Sequence, residues 1–404
     1  MNRTHTFVVP FLLVLTIAIA EMATAIYTPS LSLVARHFLV TEAAAQWTVS
    51  INLLGLALSG PLYGPCSDAY GRRATLRVGM GLFFVGSLLS LLAPSMGFLL
   101  GARLIQGLGA GVAVVVSFAA VRDLFDEKKS AEVLSYMGMA IALSPGLAPV
   151  LGGYLTHHHG WQMCFGVVSV AAFILLLLLF FWMPETLRQE SRTPFSLKGV
   201  RQGYKGVFQN PRFLKMASIP SLMIGGLWGV LAGIPVLFTG YLNVSVQDYG
   251  YYGFSGVALY VLGTLVNSKL VHRVCLKRLL LVGLSLCMTS ALLLGTVSYM
   301  TFANPLIIQG LIFPFSFGLA FILPNGTALA FGEVQEGVGT SAAFLGSLEM
   351  ALGAVGVFLV GAFFEGTALP IAGLMFGSSL LSFILYAFLR KRAEKQVCEN
   401  SVII

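Results

Sequence analysis

Runs of about 20 predominantly apolar residues, each long enough to cross the hydrocarbon core of a bilayer, recur along nearly the whole chain. Twelve such runs begin near residues 7, 44, 75, 97, 134, 161, 213, 249, 278, 303, 337 and 368. Backbone polar groups in lipid must be satisfied within the segment, and none of the runs alternates as a barrel strand does, so each is expected to be a helix. Charged residues make up 10% of the 404, against about 25% in soluble domains. The first run has only Arg3 ahead of it and eleven more behind it, which fits a retained span better than a cleaved leader.

The basic residues orient the chain. Arg72, Arg73 and Arg77 lie between the second and third runs, Arg122, Lys128 and Lys129 between the fourth and fifth, and Lys269, Arg273, Lys277 and Arg278 between the eighth and ninth. Seven more crowd residues 188–215, and Arg390, Lys391, Arg392 and Lys395 follow the last run. Alternate connections hold almost none, so both termini and the central connection are expected on the cytoplasmic side. The net charge of +8 is thus a topology signal. Spread over five connections and a tail, it argues for membrane lipid and against nucleic acid as a partner.

No metal or cofactor is expected. Cys66, Cys164, Cys275, Cys287 and Cys398 lack ligand or disulfide spacing and read as apolar fillers. His157, His158 and His159 sit on a short turn without partnering carboxylates or thiols, which fits a solvated turn. The sequence contains no H-E-x-x-H, G-x-S-x-G or phosphate loop, so an enzyme is not expected.

One long polar stretch, PETLRQESRTPFSLKGVRQGYKGVFQNPR, interrupts the pattern. It divides the chain into a six-helix half (1–184), a linker (185–212), a second six-helix half (213–392) and a tail (393–404). RLIQGLG at 103–109 aligns with LIIQGLI at 306–312, a weak internal repeat. Paired repeats with a binding site between them are how many secondary transporters are built.

Three ionisable residues lie deep inside apolar runs: Glu21, Arg103 and Glu349. Such residues face an aqueous cavity or a partner, because a bare charge in lipid is costly. Thr24, Ala25 and Thr28 share the Glu21 face, giving it the character of a cavity wall, and Tyr27 lies close by. Glu21 reads either as a proton-exchanging carboxylate or as a protonated packing group. Arg103 cannot lose its proton and must be compensated. Glu349 reads as a second acidic anchor, a partner for Arg103, or a packing carboxyl. Gln309 and Asn325 in the tenth run are polar candidates for the same cavity. In the fifth run Ser144, Gly146, Ala148, Gly152 and Gly153 form a small-residue face kinked by Pro145 and Pro149, suited to helices that rock against each other.

The stretch GPCSDAYGRR (64–73) must turn the chain in very few residues. Gly64 and Gly71 provide backbone freedom, Arg72 and Arg73 anchor at the interface, and Asp68 is placed to pair with an arginine or with a helix N-terminus of the other half. A surface ion pair on a tight turn and a latch between halves both fit.

That stretch resembles the cytoplasmic signature of the major facilitator superfamily, G-x-L-x-D-x-x-G-R-R, with Gly64, Asp68, Gly71, Arg72 and Arg73 in place. Cys66 replaces the usual Leu, and Ala69 a common basic residue. LLGARLIQGLGAG (99–111) and SPGLAPVLGG (144–153) resemble the fourth- and fifth-span motifs of its twelve-span drug:proton antiporters, although Ser144 and Ala148 replace glycines. AAVRDLF (119–125) and MPET (183–186) resemble the bicyclomycin/chloramphenicol-resistance branch. The resemblance implies a major facilitator fold of two pseudo-symmetric six-helix halves in a bacterial inner membrane, monomeric, exporting small amphipathic drugs by alternating access. The energy source would be the proton gradient. It also implies that Glu21 and Arg103 couple protons and that Gly64, Asp68, Gly71, Arg72, Arg73 and Arg122 form a cytoplasmic gate; Glu349 has no counterpart in the branch pattern and joins the proton-coupling candidates by its place in an apolar run. A dedicated exporter of an endogenous metabolite, such as a siderophore or amino-acid derivative, is the alternative.

Overall fold

The computed structural model describes residues 3–300, 304–334 and 337–401 and is helical with short connections. The first half holds α1 (Arg3–Ala25), α2 (Leu31–Phe38), α3 (Glu42–Tyr70), α4 (Arg72–Leu91), α5 (Met96–Ala110), α6 (Val112–Leu124), α7 (Glu127–His159) and α8 (Gln162–Trp182). After the connecting helix α9 (Leu197–Phe208), the second holds α10 (Pro211–Val236), α11 (Val246–Leu270), α12 (Leu276–Tyr299), α13 (Pro305–Phe331), α14 (Val338–Ala362) and α15 (Leu369–Ser401). Residues 402–404 of the expected tail, and the Cys398 side chain, lie outside the described ones.

Two expected spans are broken. The first bends at Tyr27–Ser30, where Pro29 has no N–H to continue the ladder, and α2 resumes beyond a 3₁₀ turn. There Thr28 and Ser30 hydroxyls donate to the carbonyls of Ala25 and Tyr27 at 2.9 and 2.6 Å. The fourth breaks at Gly111 into α5 and α6. The fifth begins earlier than the apolar pattern implies, because Asp126 caps α7 by accepting from Lys129 N at 2.9 Å. The linker, read as a polar interruption, contains the strongly amphipathic helix α9.

Counting α1–α2 and α5–α6 as one each, ten helical segments among the described residues are long and apolar enough to cross a membrane. The two long helices that fall short, α3 (29 residues) and α11 (25 residues), carry Gln46 and Asn52, and Tyr249, Tyr252 and Asn267. Both run along the seam between the halves, α3 against α14 and α11 against α7, so their polar side chains meet protein rather than lipid.

Two apolar cores form, and the first reaches across the seam to Trp228, Ala232 and Val236 of α10 and Ala354 and Val357 of α14. One is built around Leu13, Ile17, Phe83, Val116 and Phe165, the other around Phe213, Phe238, Leu284, Phe315 and Met375. Glycines bring the helices of the first half close: a Cβ at Gly55 would lie 2.7 Å from the Leu104 carbonyl oxygen, and one at Gly86 would overlap the Gln106 backbone. The halves meet mainly at the end of the bundle away from the linker. Ser50 Oγ donates to the Ala354 carbonyl at 2.7 Å, Thr239 Oγ1 donates to Ser32 Oγ at 3.3 Å, and Trp47 stacks on Phe358. Further along the seam the halves touch through packing: a Cβ at Gly60 would lie 3.2 Å from Ser347 Oγ, and one at Gly146 2.5 Å from Val257.

Candidate functional site

Arg103 is the most deeply buried charge in the molecule, with no exposed surface. Burying a guanidinium is costly unless its donors and charge are met. Nε donates to the Thr48 carbonyl at 3.3 Å, Nη1 to the Ala23 carbonyl at 3.4 Å and to Gln106 Oε1. The guanidinium carbon sits 4.5 Å from the Tyr27 ring centroid and 5.6 Å from that of Phe165. Nη2 has no partner, and no carboxylate forms an ion pair with Arg103 among the described residues. The surrounding groups are themselves tied down. Tyr27 Oη and Thr48 Oγ1 share a 2.7 Å hydrogen bond, Gln106 Nε2 donates to Ser87 Oγ at 2.8 Å, and Asn52 Nδ2 donates to the Arg103 carbonyl at 3.0 Å. Thr24 Oγ1 donates to Asn52 Oδ1 at 3.3 Å. Five elements, α1, α3, α4, α5 and α8, therefore converge on one cation.

Glu21 and Glu349 are half-buried, one on α1 and the other on α14, and neither forms an ion pair among the described residues. Of the three readings of Glu349, a partnership with Arg103 is not made. Gln309 and Asn325 are buried and engaged with α11. Gln309 Nε2 donates to the Tyr252 carbonyl and Ser255 Oγ at 2.9 and 3.0 Å, and Asn325 Nδ2 donates to Asn267 Oδ1 at 2.8 Å. A largely apolar crevice of 430 Å³ opens between α1, α7 and α11; Met22, the neighbour of Glu21, lines it with Val150, Leu151 and Gln247.

The small-residue face of α7 sits at the seam. Gly152 lies against the Ile26 carbonyl, just past the end of α1, so closely that a Cβ has no room. Around the helix, Gly146, Pro149 and Gly153 face α11; a Cβ at Gly153 would lie 2.5 Å from the Val246 carbonyl oxygen. Ser144 and Ala148 are buried, while Pro145 is half-buried.

At the linker end, α3 turns into α4 through the single residue Gly71, at φ +94°. A side chain there is strained, and its Cβ would come within 2.8 Å of the Glu185 carboxyl carbon. Arg72 is the hub. It donates to Asp68 Oδ1 at 2.5 Å, Ser67 Oγ at 2.6 Å and, through Nε, Asp123 Oδ2 at 2.9 Å. Asp68 therefore pairs within its own half. Glu185 Oε1 accepts from the backbone N–H of Arg72, Thr186 and Leu187 at 2.9, 3.0 and 3.1 Å, and Thr193 N donates to the Asp68 carbonyl at 3.2 Å. The start of the linker is thereby stitched onto the turn. Arg73 donates to the Phe180 carbonyl at 3.1 Å, Arg122 is exposed, and Gly64 lies 4.0 Å, by its would-be Cβ, from Val115. Asp123 and Glu185, the carboxylates that position Arg72, were not singled out from the sequence; their only signal was membership of the RD and PET strings.

The three histidines occupy the exposed last turn of α7. No group of three or more His, Cys, Asp or Glu able to hold a metal occurs among the described residues.

The family model for the Major Facilitator Superfamily matches residues 13–357. The chain is 26% identical over 396 residues to the bicyclomycin resistance protein homolog of Haemophilus influenzae, covering 95% of this chain and 97% of that protein. It is 29% identical over 340 residues to the chloramphenicol resistance protein CraA of Acinetobacter baumannii (83% and 81% covered). Multidrug resistance protein D of Escherichia coli is 33% identical over 234 residues, 57% of each chain. Among solved structures, a bacterial homolog of the human lysosomal transporter Spinster superposes with a TM-score of 0.75 at 14% identity, covering 97% of this chain and 98% of that one. A D-xylose–proton symporter superposes at 0.73 and 17% identity, with 93% and 97% covered. At these identities the two structures speak to fold alone.

Proposed function

The chain belongs to the major facilitator superfamily, and from that membership we propose that it is a proton-coupled antiporter exporting small amphipathic compounds, antibiotics among them, by alternating access. Its relatives over most of their length carry resistance to bicyclomycin and chloramphenicol by name. The observation that carries the reading is a pair of half-buried carboxylates, Glu21 and Glu349, one in each half and neither ion-paired among the described residues. A carboxylate in that position binds a proton or meets a cation as the cavity changes sides. Arg103 holds α1, α3 and α5 in register behind Glu21.

The same reading places the protein in a bacterial inner membrane as a monomer, with both termini, the linker and the Asp68–Arg72 turn in the cytoplasm. The linker end is then the cytoplasmic mouth. The gate residues Asp68, Arg72 and Arg73 are bonded within their own half, as a disengaged gate requires, and the small face of α7 is the surface that rocks on α11.

Substrate-driven proton release from the purified protein in detergent tests this, with cationic, neutral and anionic compounds against wild type, Glu21→Gln and Glu349→Gln. Release by lipophilic cations or neutral antibiotics that disappears in Glu21→Gln supports the reading. Release by a single metabolite class alone identifies a dedicated exporter, and equal release from wild type and Glu21→Gln makes Glu21 structural.

A further inference from the structure

Arg73 and Arg77 sit one turn apart on α4, so their side chains leave the same face of the helix. Both reach the end of α8, and they converge on a single atom. Arg73 Nη2 donates to the Phe180 carbonyl at 3.1 Å, and Arg77 Nη2 donates to the same oxygen. Arg77 also reaches the Leu179 carbonyl, through Nε at 3.3 Å and Nη2 at 3.2 Å. Its guanidinium carbon lies 4.5 Å from the Phe180 ring centroid. Two like charges are thereby held against one carbonyl oxygen.

Among the described residues no carboxylate forms an ion pair with either arginine. The acidic groups of the neighbouring turn are engaged elsewhere. Asp68 and Asp123 bind Arg72, and Glu185 accepts from three backbone N–H groups and lies 3.8 Å from Arg192. The C-terminus of a helix supplies roughly half a negative charge, which leaves about one and a half positive charges unmatched. Arg73 Nε is also buried without a partner. A guanidinium fork matches phosphate oxygens two at a time, and a phosphodiester carries the single negative charge that is missing.

The setting decides which phosphate. Both helices are long and apolar enough to cross a membrane, and both pack on helices of the first half. The arginines stand near the end of each span. Val78 of α4 and Phe180, Phe181 and Trp182 of α8 are exposed next to them. Aromatic side chains in such positions lie at headgroup level. We propose that Arg73 and Arg77 bind the phosphodiester of an anionic phospholipid in the leaflet at the linker end. A net negative headgroup is preferred to a zwitterionic one, because the nearby carboxylates are already engaged and cannot receive an ammonium group. The bound phosphate neutralises the pair and fastens α4 to the end of α8, where the linker begins. The inference needs only the membrane placement of the fold, not the identity of the cargo.

Trp182 reports the site. In phosphatidylcholine nanodiscs, brominated phosphatidylglycerol should quench the emission that Trp182→Phe removes. It should do so at about fivefold lower mole fraction than brominated phosphatidylcholine. Arg73→Gln combined with Arg77→Gln should bring the two lipids level, and Arg77→Lys, which keeps the charge without the fork, should fall between. Lys198→Gln combined with Lys205→Gln removes the same net charge from exposed positions of α9 and should leave the preference unchanged. Equal quenching by the two lipids in wild type overturns the site without recourse to any variant. Loss of the preference in the α9 variant would mean a diffuse basic surface. Displacement of phosphatidylglycerol by inorganic phosphate, beyond the effect of sodium chloride at equal ionic strength, would mean a site for soluble phosphate. Either result overturns the assignment. No transported compound is involved, so this outcome and that of the proton-release experiment are independent.

Discussion

At the scale of single residues, Arg103 and Tyr27 show what a buried cation needs when no carboxylate is at hand. The Tyr27 ring covers the guanidinium face and the Tyr27 hydroxyl bonds Thr48, two contributions that substitution separates. Tyr27→Phe keeps the ring and should cost about 1 kcal/mol, whereas Tyr27→Leu also removes the cation–π contact and should cost roughly 2 kcal/mol more. Thermal unfolding in detergent ranks them; equal losses would mean that the ring contributes nothing to holding the charge. Arg72 makes the complementary case. Its Nε and Nη1 reach two carboxylates and a hydroxyl at once, a fork that a lysine ammonium cannot reproduce. Arg72→Lys should therefore lose most transport despite keeping the charge, on the order of tenfold, measured as substrate efflux from energised vesicles. The presence of ionisable groups in apolar runs was legible in the sequence, and so were Arg72 and Asp68. Their partners were not. Asp123 and Glu185 reach Arg72 from 51 and 113 residues away. Pairing across such distances is decided by packing, which leaves no local pattern.

At the scale of elements, helix starts were readable because apolar runs and capping residues mark them, while breaks inside spans were not. Pro29 hinted at the bend after α1, but the π-helical turn at Leu237–Tyr241 has no sequence signature beyond Pro235 and Gly240 nearby. The polar character of α3 and α11 makes sense only once their neighbours are known. The small face of α7 was legible as small, and the structure divides it into two surfaces with different duties. Gly152 faces α1 within its half, and Gly153 faces α11 across the seam. Alanine at either should cost about 1–3 kcal/mol through overpacking, but the cost falls on different equilibria. Gly152→Ala should lower the melting temperature. Gly153→Ala should leave it closer to wild type and instead wedge the distal seam open, raising the reactivity of a cysteine placed at Gln247 toward a membrane-impermeant thiol reagent. Equal melting losses with no change in reactivity would place both glycines in ordinary packing.

At the scale of the whole molecule, the decisive fact is asymmetry. Two apolar cores centre on opposite halves, the first reaching across the seam to Trp228 and Ala354, and the hydrogen bonds of Ser50 and Thr239 between the halves lie away from the linker. A two-core bundle of this kind switches by rigid rotation, because packed cores resist gradual deformation whereas a seam of a few hydrogen bonds and close glycine contacts does not. The linker favours such a motion: Glu185 and Thr193 fasten its start to the first half, while α9 packs through Tyr204 and Phe208 against Phe344 of α14 in the second. Rotation about the seam must close one mouth as it opens the other. Labels at the exposed positions Tyr70 and Val338 on the linker end should therefore approach each other by the same event that separates Leu39 from Phe363. Titrating a transported compound, or the proton that replaces it, should move the two distances in opposite senses with a single midpoint, since one equilibrium is being shifted. Two distances that change in the same sense, or with separate midpoints, would mean that the halves breathe independently.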